Sequence, residues 1–63
     1  MNNVTYGVLD YNGGFIETSC TEQGAKNHAT RNGYNEVYAF HAVSWAVWIV
    51  SRKNSGGRWE RMA

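Results

Sequence analysis

Apolar and polar positions alternate from the start of the chain. Val4, Tyr6 and Val8 fall on one side, and Thr5, Gly7 and Leu9 on the other, which is the period of a strand. Asp10-Tyr-Asn-Gly-Gly14 interrupts this pattern. Its glycines reach positive φ at little cost, so the stretch predicts a hairpin turn, with residues 15–18 returning as a second strand. The period then changes. Ser19-Cys-Thr-Glu22 has the spacing of a capping box, and Thr21 offers a competing cap. A helix is predicted at about 20–32, stopped by Gly33 in the left-handed conformation. Thr21, Ala25, His28 and Ala29 share one face of it. That face is small, so the helix can sit close on a sheet and the bulky rings must come from the sheet side. Alternation resumes over 36–43, with Val37, Ala39, His41 and Val43 against Tyr38, Phe40 and Ala42. A tight turn near 44–46, a strand at 47–52, a glycine turn at 54–57 and a short strand at 58–62 complete the pattern.

The expected fold is α+β: a five-stranded antiparallel sheet with one helix packed on one face, in the order β-β-α-β-β-β, as a single domain spanning 1–63. The chain is organised around Trp45-Ala-Val-Trp-Ile-Val50, six apolar residues in a row. As a strand this run is apolar on both faces, since Trp48 and Val50 oppose Val47 and Ile49. An antiparallel sheet with one wet face normally alternates. The second face is therefore expected to be covered by long side chains, a second copy or a partner.

Length sharpens this expectation. With 63 residues the chain lies near the lower limit of independent folding, and its nine aromatic rings are the means of filling a small core. The single cysteine, Cys20, allows no intramolecular disulfide and fits a reducing compartment. The N-terminus lacks a signal-peptide pattern, and six apolar residues cannot cross a bilayer, so a cytoplasmic protein is expected. Charge is unevenly placed. Arg52, Lys53, Arg58 and Arg61 face only Glu60 in the last segment, whereas Lys26 and Arg31 are outnumbered by Asp10, Glu17, Glu22 and Glu36 before it. Such a dipole steers a partner without making a strongly basic nucleic-acid domain.

Catalytic chemistry is not suggested. Cys20, His28 and His41 are single and widely spaced, unlike the close pairs of a zinc site. Ser44, His41, Cys20 and Asp10 lack a nucleophile elbow or an oxyanion loop. The glycine pairs do not open a helix after a strand, so they are turns and not phosphate cradles. A non-enzymatic protein without metal or cofactor is expected. Trp48 and Trp59 read as core rings. The basic residues beside them read as a contact edge for a protein or, alternatively, for nucleic acid. The candidate contact residues are Lys26, Arg31, Arg52, Lys53 and Arg58, with Tyr34 and Tyr38 as ring anchors.

Thr21-Glu-Gln-Gly-Ala-Lys26, Ala29, Val37-Tyr-Ala-Phe40, Val47-Trp48 and Gly57-Arg-Trp59 together resemble a family of small phage-encoded type I-F anti-CRISPR proteins. The resemblance covers roughly residues 15–62 and departs from the family at Gly24 and His28, where better helix formers would stand. It implies an inhibitor in the host cytoplasm that binds backbone subunits of a CRISPR surveillance complex and competes with target DNA. Lys26 and Arg31 match the family's basic helix. The alternatives are a small nucleic-acid module using the basic C-terminal hairpin, and a homodimeric structural or regulatory protein.

Overall fold

The computed structural model describes residues 3–62. The strands are β1 (Val4–Leu9), β2 (Phe15–Ser19), β3 (Glu36–His41), β4 (Ala46–Lys53) and β5 (Trp59–Arg61), and the helix α1 (Glu22–Asn32) lies between β2 and β3. All strand pairs are antiparallel, in the order β2-β1-β3-β4-β5. The expected α+β fold is what forms. The sequence pattern left the strand order open. The order places β1 between its hairpin partner β2 and the distant β3, so the helix crosses one face of the sheet to reach β3.

Register defines the two faces. Tyr6 lies opposite Ala39, and Ala39 opposite Trp48. Gly7 lies opposite Tyr38, and Tyr38 opposite Ile49. Directly opposed residues share a face. Val8, Val37, Ala39 and Val50 therefore point towards α1 and form the buried core with Ala25 and Ala29. An irregularity lets Val50 join them. Ile49 opposes Tyr38 while Ser51 opposes Val37, so β4 carries one extra residue there. That bulge turns Val50 and Ser51 to the same side, and both are buried.

The helix is set by local chemistry. Thr21 is the N-cap, its hydroxyl accepting from the Gly24 amide at 3.1 Å. The helix thus begins at Glu22, not near residue 20. The Ser19 hydroxyl accepts from the Thr21 amide at 3.1 Å instead of capping, and Glu22 turns away to the sheet. A Cβ on Gly24 would run into the Ser19 side chain, which explains a glycine where a better helix former would otherwise stand. Gly33 closes the helix at φ 79°, as its position suggests. Ala25 and Ala29 are fully buried, so the backbone of α1 comes close to the sheet.

A short, part-buried polar bond ties the layers. The Ser51 hydroxyl donates to Glu22 Oε2 at 2.6 Å, and Lys26 Nζ lies 3.3 Å from the same oxygen. The Ser51 bond, against the opposing effect of burial and with help from Lys26, holds the Glu22 carboxyl below its ordinary value.

The other face has no covering element among the described residues. Phe15 stacks on Phe40 with centroids 5.4 Å apart, and Trp45 packs edge-on to Phe40 at 5.7 Å. The two phenylalanines meet across β1, where Gly7 offers no side chain. A Cβ there would collide with the Ile16 carbonyl oxygen. Trp45 lies in the β3–β4 turn with φ 62°, a costly conformation for a large residue, and its side chain is 77% exposed. The turn comprises residues 42–45 and not 44–46. The His41 ring accepts from the Ser44 amide at 3.2 Å, and the His41 carbonyl from the Trp45 amide at 2.8 Å.

The expectation for the tryptophans is corrected at one position. Trp59 is half-buried against the core, but Trp48 is 38% exposed. Trp48 shares the helix side of the sheet, yet it stands towards the end of β4 away from Val50 and Ser51, which the helix covers.

Candidate partner-binding site at one end of the sheet

Three loops meet at the end of the molecule where β1 and β4 finish and β3 begins. They are the β1–β2 turn, the α1–β3 connection and the β4–β5 turn. The two turns are built alike. Asp10 Oδ1 accepts from the Asn12 and Gly14 amides at 2.9 and 2.8 Å. Asn54 Oδ1 accepts from the Gly56 and Arg58 amides at 2.9 and 3.0 Å. In each, the backbone of the first residue is also bonded to that of the fifth, by Asp10 N to Gly14 O at 3.0 Å and Asn54 N to Arg58 O at 2.8 Å. The fourth residues, Gly13 and Gly57, have φ 81° and 79°. Asx side chains that bond their own following amides fix such loops without tertiary help.

Between these loops lies a hollow of about 470 Å³ lined by Leu9, Gly33, Tyr34, Asn35, Glu36, Tyr38, Arg52 and Lys53. A second, of about 480 Å³, adjoins it across Leu9 and Tyr34 and is lined also by Asp10, Tyr11 and Asn32. Four of the seven candidate contact residues, Tyr34, Tyr38, Arg52 and Lys53, thus line one concavity. Arg31 stands exposed in the last turn of α1, and Arg58 exposed in the β4–β5 turn, both at the same end. Lys26 does not join them. It lies farther back along the helix, half-buried and paired with Glu22.

The individual environments differ. Tyr34 is held by its ring stack with His28, centroids 6.5 Å apart, and packs against the core. The Tyr38 hydroxyl donates to Glu36 Oε1 at 2.9 Å. Burial, and then that bond, push the Tyr38 hydroxyl above its ordinary pKa, so it stays a donor at neutral pH. Lys53 Nζ sits 5.1 Å from the centre of the Trp59 ring and 3.4 Å from Thr30 Oγ1. Arg52 is exposed and lies opposite Glu36 on one side and Glu60 on the other. The cations here are spread over a loop end and two faces, so they do not form one stripe.

Tyr11 and Asn35 were not among the sequence candidates. Tyr11 is fully exposed at the tip of its turn. A ring inside an Asp-x-Asn-Gly-Gly loop, with no strand neighbour to pack on, was the available signal. Asn35 had none beyond its place after Gly33.

Among the described residues no group of three or more His, Cys, Asp or Glu side chains could hold a metal ion, and no helix is long and apolar enough to cross a membrane. Compared with known families, curated proteins and solved structures, the chain gives no significant match.

Proposed function

We propose that this domain is a non-enzymatic binding protein that blocks a host defence complex by protein–protein contact through its tyrosine-lined, cationic end. The observation that carries the reading is the convergence of Tyr34, Tyr38, Arg52 and Lys53 on one hollow, flanked by exposed Arg31, Arg58 and Tyr11. Tyrosine and arginine are the side chains that most often dominate protein interfaces. Stiff loops on a sheet frame lose little freedom on binding. The class of target comes from the resemblance to type I-F anti-CRISPR proteins: a subunit of a CRISPR surveillance complex in the cytoplasm of the phage's host. Nucleic acid is a weaker reading, because Arg52 is flanked by Glu36 and Glu60 and Lys53 is engaged by Trp59 and Thr30.

The experiment is capture from a host lysate with tagged wild type and with Arg31→Glu/Arg58→Glu, beside a titration of labelled DNA. Recovery of defence-complex subunits by wild type and their loss in the double variant are expected. DNA binding no tighter than about 10⁻⁵ M at physiological salt is expected. Sub-micromolar DNA binding that collapses in the double variant would put the nucleic-acid reading first.

A further inference from the structure

We propose that the second hollow at this end of the sheet, between Tyr11 and Tyr34, is a subsite for an arginine side chain of the partner; the assignment rests on the reading of this end as a partner-binding site. The hollow is lined by Leu9, Asp10, Tyr11, Asn32, Gly33 and Tyr34. That lining holds one carboxylate and no cation. The adjoining hollow has the opposite balance, with Arg52 and Lys53 against Glu36. Arg31, one residue before Asn32, is exposed and lines neither. The two hollows therefore differ in sign, although Leu9, Gly33 and Tyr34 belong to both.

The charge on Asp10 is not needed by the fold. Its Oδ1 accepts from the Asn12 and Gly14 amides, and Asn54 Oδ1, on a neutral side chain, closes the twin turn with the same two bonds. Among the described residues Asp10 has no ion pair, and its Oδ2 accepts no hydrogen bond. Asn32 is similar. Its amide donates to the His28 carbonyl at 2.9 Å, which leaves its Oδ1 without a partner among the described residues. Two unengaged acceptor groups thus share a hollow with two tyrosine rings. Tyr34 is held by its stack on His28, and Tyr11 is fully exposed. The helix ends here at Gly33, and the C-terminal end of a helix carries partial negative charge. Acceptors beside ring faces suit an organic cation. A metal ion needs more oxygens than one carboxylate and one amide supply. Arginine fits best, because its planar, weakly hydrated head stacks on rings while its edge donates to acceptors. A lysine ammonium is a compact, strongly hydrated charge, and a single carboxylate does little to replace its water. Room is sufficient: about 480 Å³ lies within the range of about 300–1,000 Å³ for sites that take small ligands.

An amide-shift titration of the whole chain by nuclear magnetic resonance tests this, with N-acetyl-arginine methylamide as the probe. The citrulline analogue has the same shape without the charge, and the lysine analogue has the charge without the plane. The arginine probe should shift the amides of residues 9–11 and 32–34 and bind roughly tenfold tighter than the citrulline one. Asp10→Asn keeps the acceptor that the turn uses, so it should melt with wild type and weaken the arginine probe roughly fivefold. Tyr11→Ala should weaken it by a similar factor. Equal binding of the arginine and citrulline probes overturns the proposal, as do shifts that map elsewhere or binding unchanged in Asp10→Asn. A lysine probe that binds as tightly as arginine overturns the choice of arginine. Arg31→Glu/Arg58→Glu leaves this lining intact, so the two readings fail separately. Loss of lysate capture in that variant alone, with capture undiminished in Asp10→Asn, would sink the subsite and leave the proposed function standing.

Discussion

Under α1, the sheet presents Val8, Val37 and Ala39 to Ala25 and Ala29, all essentially dry. On the other side it presents Phe15, Tyr38, Phe40, Val47 and Ile49 without a layer above them. The small residues are sealed and the large ones are left partly wet. Burial is worth most for the largest apolar surfaces, so the sealed side gains less per residue than the open side would if it were covered. The difference teaches that close approach governs the helix side, where only small residues fit, while the opposite side has room for rings. The smallest molecular dimension, 18 Å, suits one sheet and one helix and nothing more.

The hardest test of this contrast is a charge on each side. Val37→Asp places an unpaired carboxylate where exposure is zero, and should cost about 3–5 kcal/mol. A domain of this size holds about 3–5 kcal/mol in all, so far-ultraviolet circular dichroism should show an unfolded chain. Val47→Asp, at a position 43% exposed, should remain folded. Equal loss from both changes would mean that the faces are energetically alike. Ala29→Leu comes next. It pushes the helix off the sheet and should cost about 1–3 kcal/mol by urea melting. Little change would show that the contact at Ala29 is looser than its full burial implies.

Ser51→Ala probes the part-buried tie between helix and sheet and should cost about 1–2 kcal/mol. It carries a pH signature. The Glu22 carboxyl is held below its ordinary 4.5 when folded, so its contribution is present above that value and is lost as pH falls through the lowered one. Wild type should therefore lose stability in that acidic window, and Ser51→Ala should lose less there. Parallel stability–pH curves would remove Glu22 from the account. The smallest effect is expected at the wet end of β4. Trp48→Ala should cost about 1–2 kcal/mol, because the ring is only partly withdrawn from water. A loss of half the stability or more would return Trp48 to the core.

The strand and helix framework was legible in the sequence because period is a local property. Alternation located β1, and Gly33 marked the helix end, since both signals lie within a few residues. What escaped depended on distant partners. The bulge that buries Val50 and Ser51 together is set by pairing with Val37, which period alone does not reveal. Trp48 reads as core because of its size, and its exposure follows from where the helix stops. At the basic end, residue type identified the cations, but only topology brings the α1 terminus beside two separate turns. Lys26 illustrates the limit: its ion pair with Glu22 is an i,i+4 contact visible in sequence, yet a lysine on a helix reads equally well as a contact residue.

The two Asx turns leave their tips chemically undetermined. Each loop is closed by the side chain and backbone of its first residue, with a glycine at its fourth position. Neither arrangement uses the side chains of Tyr11 and Asn12, or of Ser55. Those positions can exchange residues while the frame that holds them stays as it is. A lineage under pressure from a changing target could therefore rewrite its contact surface one tip residue at a time. By the same logic, the frame holds two loops and a helix end side by side whatever residues stand at the loop tips.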